Sequence, residues 1–291
     1  MDAELARTME RHHLDLRHEA DVRRRSGRSL RALCLLSGLL VLSVPARADD
    51  AVPIALHLTP GRYVRTQKLV HVVTFDIPKT YKAMAGGRAD DETILEDRDQ
   101  VIVVKDAGAV DIAETNTRRF GGDHPKETDT KVRTSTWDGT IAADGVMTPP
   151  QAVLEDAGDG ALDQLPDIPL SAGQQWTFSR HVKVERDFAD GPMTYVDKVD
   201  HFEDRSGHRI AIINVTGTGP MTPNKDMLDH GFKASTMDLA GTAEFDTTAG
   251  LPGVQHYTAK VTWSTHAMFL KIPVILNDTY DATPVQPKPQ S

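Results

Sequence analysis

Nine histidines follow position 48: His57, His71, His124, His181, His201, His208, His230, His256 and His266. None stands in an H-x-H or HExxH string, so the spacing that puts two imidazoles on one zinc ion is missing. His181 and His201 fall on neighbouring expected strands, with Asp197, Asp200 and Glu203 close by. Exposed strand residues of this kind make cross-strand contacts; gathered into a cleft they would do acid–base work. A nucleophilic serine on a strained elbow needs G-x-S-x-G, and the chain has no such string; Ser206-Gly207-His208 reads as a hairpin turn. Asp90-Asp91-Glu92 and Glu96-Asp97 read as solvated charge runs rather than a glycosidase pair. Asp156-Ala157-Gly158-Asp159-Gly160 departs from calcium-loop spacing and lacks the distal Glu. Gly217-Thr218-Gly219-Pro220 lacks the helix that would make it a phosphate or dinucleotide loop. The sequence names no catalytic residue, no metal ligand and no cofactor.

The elements that must position any site are strands. Within 176–188 the even positions read Trp176, Phe178, Arg180, Val182, Val184, Arg186 and Phe188, with polar residues between them. Met237, Leu239, Gly241, Ala243 and Phe245 form a second such series, and Tyr257, Ala259, Val261 and Trp263 a third. Alternation of this kind marks strands with one buried face. Further strands are expected at 63–77, 100–105, 109–117, 132–143, 194–203, 209–217 and 268–276, separated by turn signals such as Asp144-Gly145 and Pro252-Gly253. One-sided burial with short turns predicts a mainly β fold of curved antiparallel sheets, sandwich or half-barrel like. Helix is expected to be scarce. Tyr81, Met84, Ile94 and Leu95 give 79–98 some helical spacing, but Gly86-Gly87 interrupts it. The segment 220–232, with Met221, Met227, Leu228 and Phe232, reads as a long surface loop or a flap over an apolar cavity.

The beginning of the chain reads as an export signal. Arg23, Arg24, Arg25, Arg28 and Arg31 precede an apolar run from Ala32 to Val44, then Pro45 and Ala46-Arg47-Ala48. Ala46 and Ala48 form the small-x-small pattern of a signal cleavage site. The run is too short for a membrane span, which takes ~20 residues. The expected destination is periplasmic or secreted, with a mature chain from about Asp49. The single cysteine, Cys34, lies in the expected leader. Beyond position 48, 36 acidic residues stand against 24 basic ones, which argues against nucleic acid as a partner.

Two halves suggest themselves, 49–164 and 165–280, after a leader at 1–48 and before a Pro-rich tail at 281–291 expected to be disordered. Gly61 before Tyr63 is matched by Gly173 before Trp176, and Trp137-Asp138-Gly139-Thr140-Ile141 by Leu239-Ala240-Gly241-Thr242-Ala243. Such an internal repeat would give two sheets that pack face to face or pair edge to edge.

Leu165-Pro166-Asp167-Ile168-Pro169-Leu170-Ser171-Ala172-Gly173-Gln174-Gln175-Trp176 resembles an LP-x-x-P-aliphatic-x-x-G-x-x-W pattern of exported bacterial β-rich domains of unknown function. There it is followed by a Gly-x-x-x-Phe-Asp-x-x-x-Gly segment, matched here by Gly241, Phe245, Asp246 and Gly250. The resemblance covers roughly 165–263. It implies an antiparallel β protein, some similar folds being half-barrels that hold lipid or lipoprotein chains, and it brings no catalytic residue.

The expectation is therefore a non-catalytic exported protein that binds an apolar ligand (a lipid or acyl chain) or an envelope protein. Trp176, Phe178, Arg180 and Arg186 are its candidate contacts, the arginines meeting an acidic headgroup or lying at the sheet rim. The alternative is an envelope hydrolase with a site scattered over loops.

Overall fold

The computed structural model describes residues 51–77, 91–106, 109–122, 130–148, 164–184, 188–267 and 270–288. Arg47–Ser291 form one compact unit.

The alternation seen in the sequence becomes one antiparallel sheet of twelve strands. The strands are β1 (Gly61–Phe75), β2 (Glu92–Val104), β3 (Ala109–Gly122), β4 (Lys131–Ile141), β5 (Met147–Thr148), β6 (Gln175–Val184), β7 (Ala189–Arg205), β8 (His208–Pro223), β9 (Ser235–Asp246), β10 (Leu251–Ala267), β11 (Leu270–Ala282) and β12 (Gln286–Pro287). The chain starts in the middle of the sheet, meanders from β1 out to β5, crosses to the other edge at β6, and meanders back until β11 pairs with β1. The two expected halves are thus joined edge to edge by nine residue pairs, from Gln67↔Ala282 to Phe75↔Val274. The glycine landmarks fall on corresponding strands, Gly139 on β4 and Gly241 on β9. An up-and-down meander produces that correspondence without any duplication.

The sheet keeps two edges, and β5, at one of them, has only two residues, a length that gives other chains little to pair with. Near the edges two straps cross the inner face. Val52 and Leu170 exchange backbone hydrogen bonds at 2.9 and 3.0 Å. The Leu56 N–H donates to Ala143 O (2.7 Å), the His57 N–H to Gly250 O (2.9 Å), and the Leu165 N–H to Asp144 O (2.7 Å). Segment 51–58 therefore ties the end of β4 to the β9–β10 turn. Ile54, Leu165 and Leu170 bury their side chains in the main core.

Three expectations need correction. Residues 92–98 lie in β2 rather than in a helix, because their thirteen-residue strand is paired along its whole length with both β1 and β3; 79–90 lie outside the described residues. The Pro-rich tail is ordered over 281–288. Thr283, Val285 and Lys288 donate their N–H groups to Thr66 O, Pro252 O and Arg62 O. The segment 220–232 is not all loop: β8 runs to Pro223, and a five-residue helix α1 (Lys225–Asp229) follows, capped by Asn224 Oδ1 accepting from the Met227 N–H.

Candidate functional site

The inner face of the sheet is where unusual chemistry collects, and it divides at the β1–β11 seam. On β6–β11 it is apolar. Val182, Met193, Tyr195, Val199, Ile213, Phe245, Tyr257 and Val261 are at most 1% exposed. Tyr195 stacks on Phe178 at 4.9 Å and Tyr257 on Tyr280 at 5.6 Å. The two glycines opposite these tyrosines make the packing possible: a Cβ on Gly217 would stand 3.2 Å from the Tyr195 ring, and one on Gly241 2.7 Å from the Tyr257 ring. The outward residues of the same strands are hydrophilic, as with His256, Thr258, Lys260 and Thr262 on β10. A membrane barrel has the reverse arrangement, apolar outside. Among the described residues no helix is long and apolar enough to cross a membrane.

Of the residues singled out in the sequence, Phe178 is buried on this wall and Trp176 packs against it, with its Nε1–H donating to Gln164 O at 2.8 Å. Arg180 is half-buried opposite Met193. Arg186, the 46–48 cleavage site and 156–160 lie outside the described residues.

One group on the apolar wall is out of keeping with it. Asp197, opposite Trp176, is fully buried, and neither carboxylate oxygen has a hydrogen-bond partner. Burial pushes its pKa up to about 8. Tyr257, whose hydroxyl is also unpartnered, is raised well above the usual phenol value by burial, with Tyr280 and Asp197 adding to it.

On β1–β4 the same face is charged. Register sets Arg65 beside Gln100, Gln67 beside Arg98, Glu96 beside Arg118 and Gln100 beside Glu114. The Arg65 Nη2–H donates to Gln255 Oε1 on β10 at 2.6 Å, reaching past the small Ala282. His71 Nδ1 lies 2.9 Å from Asp278 Oδ1. Glu96, 4% exposed, accepts from Arg98 Nη2 (2.9 Å), Asn116 Nδ2 (2.9 Å) and Arg118 Nη2 (2.8 Å). Burial by itself would raise its pKa, but Arg98, Asn116 and Arg118 together hold it below the usual carboxylate value. Gln100 Nε2 donates to Glu114 at 2.8 Å.

At the β4 side this band opens into a cavity of about 220 Å³ lined by Glu96, Asn116, Arg118, Phe120, Lys131 and Arg133. Arg118 and Lys131 are directly opposite on β3 and β4, and Arg133 is opposite Asn116. Phe120 lies between the first two cations, 5.5 Å from the Arg118 Cζ and 5.2 Å from the Lys131 Nζ. Glu96 was expected in a solvated charge run with Asp97, but its hydrogen bonds to Arg98, Asn116 and Arg118 hold it buried at 4% exposure; the other five did not stand out, because each is an ordinary strand residue by itself. The one available signal was that the run Glu96, Arg98, Gln100 shares parity with buried Ile94 and Val104.

The histidines do not converge. His181 is opposite Pro192 and pairs with Asp190 at 3.0 Å, so it does not face His201. His201 holds Asp200 on Nδ1 (2.8 Å) and Glu203 on Nε2 (2.9 Å), which leaves neither ring nitrogen to act as a base. Both carboxylates raise its pKa. His208 with Asp246 and His256 with Asp281 make further surface pairs at 2.7 and 2.6 Å. Among the described residues no group of three or more His, Cys, Asp or Glu is placed to hold a metal ion.

No protein-family model and no curated protein matches the chain. Solved structures give distant likenesses. A chain described as "Lipid-protein interactions in lipovitellin" is 11% identical with a TM-score of 0.43; the match covers 81% of this chain but only 26% of that one. A mutant Rh. blastica porin is 9% identical with a TM-score of 0.26, covering 76% of this chain and 99% of its own. A triple mutant of the Rhodopseudomonas blastica porin gives 8% and 0.23, over 77% and 99%. None of these likenesses is close enough to carry a function to this chain.

Proposed function

We propose that this is a non-catalytic binding protein of the cell envelope or exterior, which holds an anionic amphiphile on the inner face of its curled sheet. One observation carries the reading. A single face joins an apolar wall on β6–β11 to a cation-lined cavity on β2–β4, while the outward residues of β6–β10 are mostly hydrophilic. The wall is at most 1% exposed beneath Ile54, Leu56, Leu165 and Leu170 of the two straps, so an acyl chain reaches it by displacing them and gains by leaving water there. An anionic headgroup is favoured at the cavity, where Arg118, Lys131 and Arg133 outnumber Glu96 in a chain whose net charge is −9. Buried polar atoms without partners on this face, among them Asp197 Oδ1 and Oδ2, Gln67 Oε1 and Tyr257 Oη, suit a ligand that is not purely hydrocarbon.

Native mass spectrometry of the full-length protein purified without detergent tests this. The expected spectrum carries one added amphiphile mass, which organic extraction removes and dodecyl phosphate restores. Protein that is bare as purified, and that neither takes up a polarity-sensitive dye nor releases it to dodecyl phosphate, would sink the proposal.

A further inference from the structure

The cavity on β2–β4 combines three features that set a ligand class. Its cations are crowded: Arg118 and Lys131 form a directly opposed like-charge pair, and Arg133 stands two residues along β4 on the same face. Like charges directly opposite cost stability. The Phe120 ring offsets part of this by attracting two of the cations, and so fixes them at the cavity wall. The one acid in the lining is already engaged: Glu96 takes hydrogen bonds from Arg98, Asn116 and Arg118. Lys131 and Arg133 have no ion pair with any described residue, and both are exposed at the rim, within reach of a ligand from solution. Finally, Asn116 turns its amide N–H to Glu96, which leaves its buried Oδ1 without a donor.

The geometry points to a phosphate-ester site in this cavity, Lys131, Arg133 and Arg118 binding the phosphoryl oxygens, and Asn116 Oδ1 accepting from a hydroxyl of the bound group. A carboxylate offers two oxygens and one charge, enough for one guanidinium. A phosphate monoester carries nearly two charges and three strong acceptor oxygens, which matches three cations set around one space. The volume of about 220 Å³ is roughly seven times that of a liquid water molecule, room for a phosphate and the first atoms of its ester. Phe120 supplies the apolar contact those atoms need. This identification of the headgroup rests on the amphiphile reading only for what lies beyond the ester. A soluble phosphate ester would use the same contacts.

Isothermal titration at low salt, on the full-length protein, separates the cases. The probes are inorganic phosphate, glycerol 3-phosphate, dodecyl phosphate and dodecanoate, each added to wild type and to the Lys131→Gln/Arg133→Gln double variant. Both substituted residues are exposed, and an unchanged circular dichroism spectrum and melting curve check the fold. The site is supported if all three phosphates bind, dodecanoate binds more weakly than dodecyl phosphate, and the variant loses on the order of tenfold or more in phosphate affinity. Dodecyl phosphate gaining over glycerol 3-phosphate identifies a lipid headgroup. Equal affinities identify a free phosphate ester, which keeps this site and overturns the amphiphile. Phosphate that does not bind, or binds the variant as well as wild type, overturns the site, even if dodecyl phosphate and dodecanoate still bind equally through the apolar wall.

Discussion

The strands β6–β9 and β1–β4 run the same meander, with the same pairing and with alternate residues turned to the same face, yet what they put on that face differs. On β8, Ala211, Ile213 and Val215 are turned inward; on β3 the matching run is Val110, Ile112, Glu114, Asn116 and Arg118. The outer faces differ as well, hydrophilic along β6 but carrying Leu95, Val101 and Val103 on β2. A strand needs alternation and turns to form, and both halves supply them, so backbone topology is insensitive to the inner residues. Those residues decide what each half does. The apolar half builds the main core, whereas the charged half keeps polar groups inside, where they are costly unless paired, and leaves three cations around a cavity. Buried apolar packing is concentrated in one part of the sheet and buried charge in the other.

The sharpest way to break that comparison is to truncate one inner residue in each half. Phe245→Ala removes a fully buried ring from the apolar half and is expected to cost about 4 kcal/mol in urea unfolding. Glu96→Ala, in the charged half, removes the 2.9 Å ion pair with Arg98, itself 5% exposed, and is expected to cost about 3 kcal/mol. Replacing both partners, Glu96→Leu with Arg98→Met, is expected to recover part of that loss, because both charges of this buried pair leave together while Arg118 still loses Glu96. Phe245 has no such remedy. If the double replacement is as damaging as Glu96→Ala, the charged band is a packing core like the other half and the contrast fails.

Asp197 tests the apolar half from the opposite side. With a folded pKa of about 8 against an ordinary carboxylate value in the unfolded chain, the folded state keeps a proton that the unfolded state has released. Stability therefore falls as pH rises from about 4 through about 8, and levels off above it. The expected loss between about pH 6 and about pH 8 is about 2 kcal/mol. Asp197→Asn should remove this dependence, so that the variant is the more stable protein at about pH 8 and gains little in acid. Urea melts of both proteins at the two pH values measure it. Parallel pH profiles would mean that Asp197 is not buried unpaired.

The fold was more legible in the sequence than the site was, for a physical reason. Met237 to Phe245 and Tyr257 to Trp263 alternate strictly because the inner face there excludes water, and the even positions of β6 did the same as far as Val184. In β2 neither parity is clean: Glu96, Arg98 and Gln100 point inward while Leu95, Val101 and Val103 point outward, so Glu92–Arg98 did not read as strand. The cavity was hidden further. Its residues come from three strands, and only the register of β2 on β3 and β3 on β4 brings them together. Leu165 and Leu170 entered the sequence reading only as members of the LP-x-x-P-aliphatic pattern that leads to Trp176. That they also cover the core depends on the hydrogen bonds to Asp144 and Val52, which no local pattern encodes.

The smallest expected effect lies on the exposed surface of β7. His201 is exposed and its pKa is raised by its hydrogen bonds to Glu203 and Asp200. A histidine whose folded pKa exceeds its unfolded value stabilises the fold fully below the unfolded value, and that contribution is lost as pH rises through the folded one. Wild type should therefore melt slightly above His201→Gln in mild acid, and the two curves should merge once the imidazole is neutral. An NMR titration of the His201 ring protons fixes where the merging occurs. The difference should also shrink with added salt, because exposed pairs are screened, while the pH dependence due to buried Asp197 should persist. If salt abolishes both alike, the inner face is wet, and the distinction between an apolar wall and a charged band loses its physical basis.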